Sequence, residues 1–164
     1  MISPERLATL FDAHAPALLL YARQWCDRDS AEDLVQQAFL SLARQTVVPD
    51  EVLAWLYRVV RNAAVSRIRF QVRRLRRESA ASVPEAWFDR ADDRIDAEQA
   101  TRMLEGLPAE NREAIAARIW GGLTFDQIGR LQGCSPATAF RRYRDGLATL
   151  QERMGRPCPT SSTT

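Results

Sequence analysis

The sequence contains no lysine, so every one of its 23 basic side chains is an arginine. Histidine is almost absent too. With His14 alone, there is no basis for a histidine-built catalytic site or metal cluster. The three cysteines, Cys26, Cys134 and Cys158, are odd in number and far apart. That argues against a disulfide framework or a zinc site and reads as small buried or tail thiols. No apolar run approaches the roughly eighteen residues a membrane span needs. The opening Met1-Ile2-Ser3-Pro4-Glu5-Arg6 lacks the basic-then-apolar order of a signal peptide, so the expectation is a cytoplasmic protein with no direct membrane insertion. Strand-like alternation is missing as well. So are a nucleophile–base pair and a phosphate loop, and no catalytic residue, cofactor or metal is expected.

What is present is helix signal and an uneven charge distribution. An apolar fraction of 46% is ordinary for a folded chain, and the net charge of +2 says little by itself. Its layout says more. Arg58 to Arg77 holds eight arginines and no acid. From Ser79 to Glu98, Glu85, Asp89, Asp92, Asp93, Asp96 and Glu98 face only Arg90 and Arg94. A basic block followed by an acidic one suggests a phosphate-binding surface and then a segment of different purpose. With so small a net charge, the free molecule should bind DNA poorly, because nonspecific affinity scales with phosphates neutralised. A partner should therefore assist it.

The chain divides into helical segments. Ser3-Pro4 reads as an N-cap and first-turn proline before Leu7, Leu10 and Phe11, and Pro16 reads as a break or kink. Leu18, Leu19, Tyr21, Ala22 and Trp25 then continue an apolar stripe. Ser30-Ala31-Glu32-Asp33 resembles a capping box opening a helix with Leu34, Val35, Ala38, Phe39 and Leu42. Gln45 to Asp50 reads as a loop, with Asp50 capping a long helix through Leu53, Leu56, Val59, Val60, Ala63, Ala64 and Ile68. A first helical domain is thus expected over 1–78, a flexible acidic linker over 79–95, a second domain over 96–154 and a disordered tail over 155–164. Trp87-Phe88 gives the linker something to dock. Fully extended, it could span roughly 56 Å, more than one DNA turn of about 34 Å. Ala100, Met103, Leu104 and Leu107 form the apolar face that begins the second domain, and a helix opened by Pro108 stops at Gly121-Gly122.

The clearest motif is a helix-turn-helix from about Thr124 to Leu150. Thr124-Phe125-Asp126-Gln127 has the pattern of a capping box, Gly133-Cys134 makes the turn, and Ser135-Pro136 caps the last helix. Ile128, Leu131, Ala139, Tyr143, Leu147 and Leu150 should close the shared core. Ser135, Ala137, Thr138, Arg141, Arg142, Arg144 and Asp145 are then left outward. Such a helix can enter a major groove, with guanidinium forks on guanine edges or phosphates.

At this point the residues resemble a known family. Ala31-Glu32-Asp33-Leu34-Val35-Gln36-Gln37-Ala38-Phe39 is similar to the region-two signature DAEDLVQEVF of the extracytoplasmic-function sigma factors of bacterial RNA polymerase. Ala54-Trp55-Leu56-Tyr57-Arg58-Val59-Val60-Arg61-Asn62-Ala63-Ala64 looks like their WLYRIARN segment, and Leu107-Pro108 through the helix-turn-helix looks like their region four. The resemblance implies an all-α protein of two small helical domains. It also implies an alternative sigma factor that binds core RNA polymerase through its clamp and flap elements, directs initiation at a promoter set and promotes melting of the −10-type element. The helix at Asp33–Leu42 would dock on the clamp, using Asp33, Leu34, Gln36, Gln37 and Leu40, with Phe39 beneath or beside them. Gln37 stands where the family usually has an acid.

The same resemblance assigns Arg58, Arg61, Asn62, Ser66, Arg69 and Arg73 to the melted −10-type strand. Of these, Arg58, Asn62, Ser66, Arg69 and Arg73 recur as one helical stripe. Asn62 would read an exposed base, and the loop Gln45–Val52 would help form a pocket for it. Trp55 and Tyr57 are candidates for stacking or for core. Ser135, Thr138, Phe140, Arg141, Arg142 and Arg144 would contact the −35-type element. Here Phe140 and Asp145 depart from the family's usual cations. They could touch a thymine methyl and a cytosine amine, or face protein. The linker would thread the RNA exit path, and an anti-sigma factor is a further implied partner beside promoter DNA. The rival reading is a stand-alone helix-turn-helix regulator on a palindromic site.

Overall fold

Ser3 begins the first helix as its sequence suggests: its hydroxyl accepts from the Arg6 N–H at 3.3 Å, and Pro4 sits where a missing N–H costs nothing. In the computed structural model, which describes residues 1–77 and 101–154, this helix is α1 (Pro4–Ala22). It is followed by α2 (Arg28–Ala43), α3 (Val52–Arg77), α4 (Ala109–Ile119), α5 (Phe125–Gln132) and α6 (Pro136–Met154). The chain is all-α, with no strand among the described residues. The linker 79–95 with its Trp87-Phe88, the tail 155–164 and the start of the second domain at Asp96 lie outside the described residues. No helix among the described residues is long and apolar enough to cross a membrane.

Three local expectations are corrected. Helix α1 runs through Pro16 rather than breaking there. Leu18, Leu20, Tyr21 and Ala22 are buried immediately beyond it, and that packing offsets the hydrogen bond the proline cannot make. Helix α2 is capped by Asp27, whose carboxylate accepts from the Ser30 N–H at 2.8 Å, so Ser30 is a buried first-turn residue and not the cap. Helix α3 starts at Val52, two residues after Asp50, with the Trp55 N–H bonded to the Glu51 carbonyl.

Helices α1, α2 and α3 pack on one another, and α4, α5 and α6 do likewise. In the second set Leu104 and Leu107 are buried as expected, whereas Met103 faces out. The two sets also meet: α4 touches α1 and α5 touches α3, so one continuous apolar cluster runs from Leu18 through Tyr57 to Ile128 and Ala139. Tyr21 is central to it, with its ring centroid 4.7 Å from both Trp25 and Tyr57. The junction is tight at Gly121, where a Cβ would lie 2.7 Å from the Tyr57 hydroxyl.

Candidate nucleic-acid interface

Helix α3 sorts its residues by face. Leu56, Tyr57, Val60 and Ala64 are buried, and Arg58, Asn62, Ser66, Arg69 and Arg73 are all exposed. Long polar side chains therefore stand on one ridge over an apolar seam, the arrangement the four-and-three spacing dictates. Among the described residues, Arg58 and Arg69 enter no ion pair, and the Arg73 Nε donates to the Arg69 carbonyl at 3.3 Å. A row of solvated guanidinium groups can exchange counterions for phosphates, each worth about 0.7 in the logarithmic salt slope on a single strand.

Arg61 is the exception. It is turned toward the other set of helices, where its Nε lies 2.6 Å from Glu113 Oε1, and only 29% of its side chain is exposed. Burial lowers its pKa, but the hydrogen bond and charge of Glu113 outweigh that and leave it raised. Tyr57, weighed for stacking, is fully buried, so it is core. Its hydroxyl has no hydrogen-bond partner among the described residues, and burial pushes its pKa far up. Trp55 is half-buried and lines a cleft of about 430 Å³ with Pro49, Asp50, Glu51 and Arg58. The end of the loop before α3 thus lines this cleft, and Gln127, Arg130 and Leu131 of the second set form its far wall.

An aromatic that the sequence reading passed over is Phe70, 62% exposed between Arg69 and Arg73. The usable signal was an aromatic interleaved in a basic block, a pattern suited to base stacking worth about 1–3 kcal/mol.

The helix-turn-helix has the predicted joints. Thr124 and Gln127 form a reciprocal capping box, and Gly133 adopts φ 68°, the left-handed conformation that favours glycine. Gly129 is needed for close approach, since a Cβ there would lie 2.8 Å from the Cys134 carbonyl. Ile128, Leu131 and Ala139 are buried, and Tyr143, Leu147 and Leu150 pack against them.

On the outer face of α6, Ser135, Ala137, Phe140, Arg141 and Arg144 are exposed, and Thr138 is half-buried. The Ser135 hydroxyl accepts from the Thr138 N–H and donates to the Thr138 hydroxyl, at 3.2 and 3.0 Å. Arg142, expected outward, instead braces the turn: its guanidinium reaches Gln132 Oε1 at 3.0 Å and the Cys134 sulfur at 3.5 Å. Arg144 is paired with its neighbour Asp145 at 2.9 Å. Phe140 is 48% exposed and rests edge-on against Phe125, with ring centroids 5.2 Å apart.

On α2, Asp33, Gln36, Gln37 and Leu40 are exposed together, and Leu34 and Phe39 lie beneath them in the core. Leu34 is therefore a support and not a presented contact. Phe11 of α1 rests on Phe39, with centroids 5.0 Å apart, and extends this face with an apolar groove that also includes Leu7 and Leu40.

The family model for Sigma-70 region 2 matches residues 10–74, and that for Sigma-70, region 4 matches residues 97–150. The chain is 31% identical over 153 residues to the RNA polymerase sigma factor CarQ of Myxococcus xanthus, covering 89% of this chain and 87% of that one. It is 30% identical over 142 residues to the ECF RNA polymerase sigma factor SigK of Mycobacterium ulcerans, with 80% and 76% covered. The chain belongs to the extracytoplasmic-function sigma factors. This sigma factor has the fold of the family, resembling the sigma factor RpoE of Bartonella quintana with a TM-score of 0.70 over 91% of this chain and 97% of that one, at 24% identity. As an alternative sigma factor it serves transcription initiation, which sets aside the stand-alone regulator.

Proposed function

We propose that this sigma factor docks on core polymerase through Asp33, Gln36, Gln37 and Leu40 and grips the melted −10-type strand with α3. Its second contact is the −35-type element, which it meets with the N-terminal half of α6. The observation that carries the reading is the exposed ridge Arg58, Asn62, Ser66, Arg69 and Arg73 over a buried seam on one helix. Guanidinium groups hold the strand backbone without regard to sequence, and the Asn62 amide, able both to donate and to accept, reads the edge of an unstacked base. Phe70 and the cleft beside Trp55 give flipped bases apolar faces to rest on.

In the upstream duplex, Arg141 supplies the charge, Ser135 and Thr138 the hydroxyls at the helix N-terminus, and Phe140 an apolar contact of the kind thymine methyls accept. An anti-sigma factor is proposed as a further partner, because the RpoE of similar fold was crystallised with the anti-sigma factor NepR. The test is reconstitution with purified core polymerase on a promoter library. Asn62→Ala should lose most open complex while binding core polymerase as tightly as the parent chain. Equal loss of both would overturn the assignment to Asn62.

A further inference from the structure

Nothing in promoter recognition requires the two sets of helices to touch, yet they meet around a buried carboxylate. Glu113 of α4 is 3% exposed. Its Oε1 accepts from the Tyr21 hydroxyl of α1 at 2.7 Å and from Arg61 Nε of α3 at 2.6 Å, and its Oε2 accepts from Gln132 Nε2 at 3.2 Å. Two of its three donors therefore come from the other half of the molecule. Around it, Arg112 donates to the Gln24 carbonyl at 3.1 Å, and the exposed Glu51 takes Gln127 and Arg130 of α5.

Closure has two consequences for α3. It occupies Arg61, and it walls the cleft beside Trp55 with Gln127, Arg130 and Leu131. The α2 face with Asp33, Gln36, Gln37 and Leu40 stays exposed in the same arrangement.

We propose that Glu113 is an intramolecular stand-in for a DNA phosphate, a latch that keeps the free chain shut by holding Arg61 until the promoter strand takes its place. The proposal rests on the reading of α3 as the −10-type surface. A carboxylate and a phosphate oxygen offer a guanidinium the same charge-assisted geometry, so Arg61 can exchange one for the other without rearranging its own helix. Opening is also demanded by size. A folded body of this length has a radius of gyration of about 15 Å, hence a diameter near ~40 Å. Elements that take their names from positions −10 and −35 lie about 25 base pairs apart by that numbering, about 85 Å at roughly 3.4 Å per pair. The closed chain cannot reach both, but it can dock on polymerase first, through the face that closure leaves free.

The test uses the full-length chain without polymerase. Small-angle X-ray scattering reads closure, and fluorescence anisotropy reads binding of a labelled single-stranded oligonucleotide of mixed sequence. Glu113→Ala should raise the radius of gyration by several ångströms and tighten oligonucleotide binding about five-fold, the lower end of ordinary coupling between sites. In an Arg61→Ala background, already unlatched, Glu113→Ala should add nothing to either signal. Unchanged scattering and affinity overturn the latch, as does an affinity gain that survives the loss of Arg61. Circular dichroism checks the fold. If Glu113→Ala loses helicity, Tyr21→Phe decides, because it keeps the ring and deletes one donor: a smaller shift in the same direction supports the latch, and none overturns it. Initiation with core polymerase is scored separately. A parent chain that fails to stimulate initiation would sink the promoter reading while leaving the scattering result on closure intact.

Discussion

Helices α3 and α6 both carry arginines toward solvent, but they present them differently. On α3, Arg58 and Arg69 are in no ion pair among the described residues. On α6, Arg142 is tied back to the neutral Gln132 amide and Arg144 is paired with Asp145, so among the described residues Arg141 is the guanidinium of that face left untethered. The first surface is built for charge and the second for shape. A helix that must hold a flexible melted strand gains from unpaired charge, because phosphate contacts ask little of base identity. A helix that reads a rigid duplex gains from hydroxyls, an aromatic edge and one well-placed fork.

The contrast is best broken by charge removal. The combined substitution Arg58→Ala, Arg69→Ala, Arg73→Ala should weaken single-strand binding by about 100-fold or more at low salt and flatten the logarithmic salt slope by about 2, as three lost phosphate contacts require. A titration across salt concentrations checks both. Arg141→Ala should cost about 1–3 kcal/mol of discrimination at one upstream base pair, measured by competition between promoter variants with core polymerase present. Asp145→Ala should act in the opposite direction. By releasing Arg144 it should strengthen binding of upstream duplex a few-fold and steepen its salt slope by about 0.9, at the expense of sequence preference. An unchanged slope would mean that Arg144 does not reach DNA even when freed. The smallest effect is expected from Tyr57→Phe. Removing a buried hydroxyl that has no partner among the described residues should leave thermal stability unchanged or raised by about 1 kcal/mol, and a marked loss would show that the hydroxyl is satisfied after all.

Much of this was legible in the sequence, and what escaped has physical causes. The capping box at Thr124, the left-handed Gly133 and the ridge of α3 are local features, written in spacings of three and four residues. They appear in the structure as the sequence implied. Ser30 misled because Asp27, three residues earlier, offers the same capping chemistry, and burial of Ser30 and Ala31 decides between them. Helical phase alone puts Arg142 outward and cannot anticipate a long side chain folding back onto Gln132 and Cys134. Tyr57 fits both a stacking and a core reading in sequence, and its ring contact with Tyr21 decides for core. Least legible was the junction of the two halves. Glu113 meets partners 92 and 52 residues away, a distance over which no periodicity carries information, and an acid within an amphipathic helix gives no sign of being buried.

The proposed division of labour between α3 and α6 is tested most directly by permanganate footprinting of thymines in the −10-type element, alongside total promoter occupancy, with core polymerase and each variant. Asn62→Ala should retain occupancy and lose thymine reactivity, whereas Arg141→Ala should lower occupancy while the complexes that remain open in the parent proportion. Reactivity and occupancy falling together in both variants would contradict the assignment of opening to α3 and anchoring to α6.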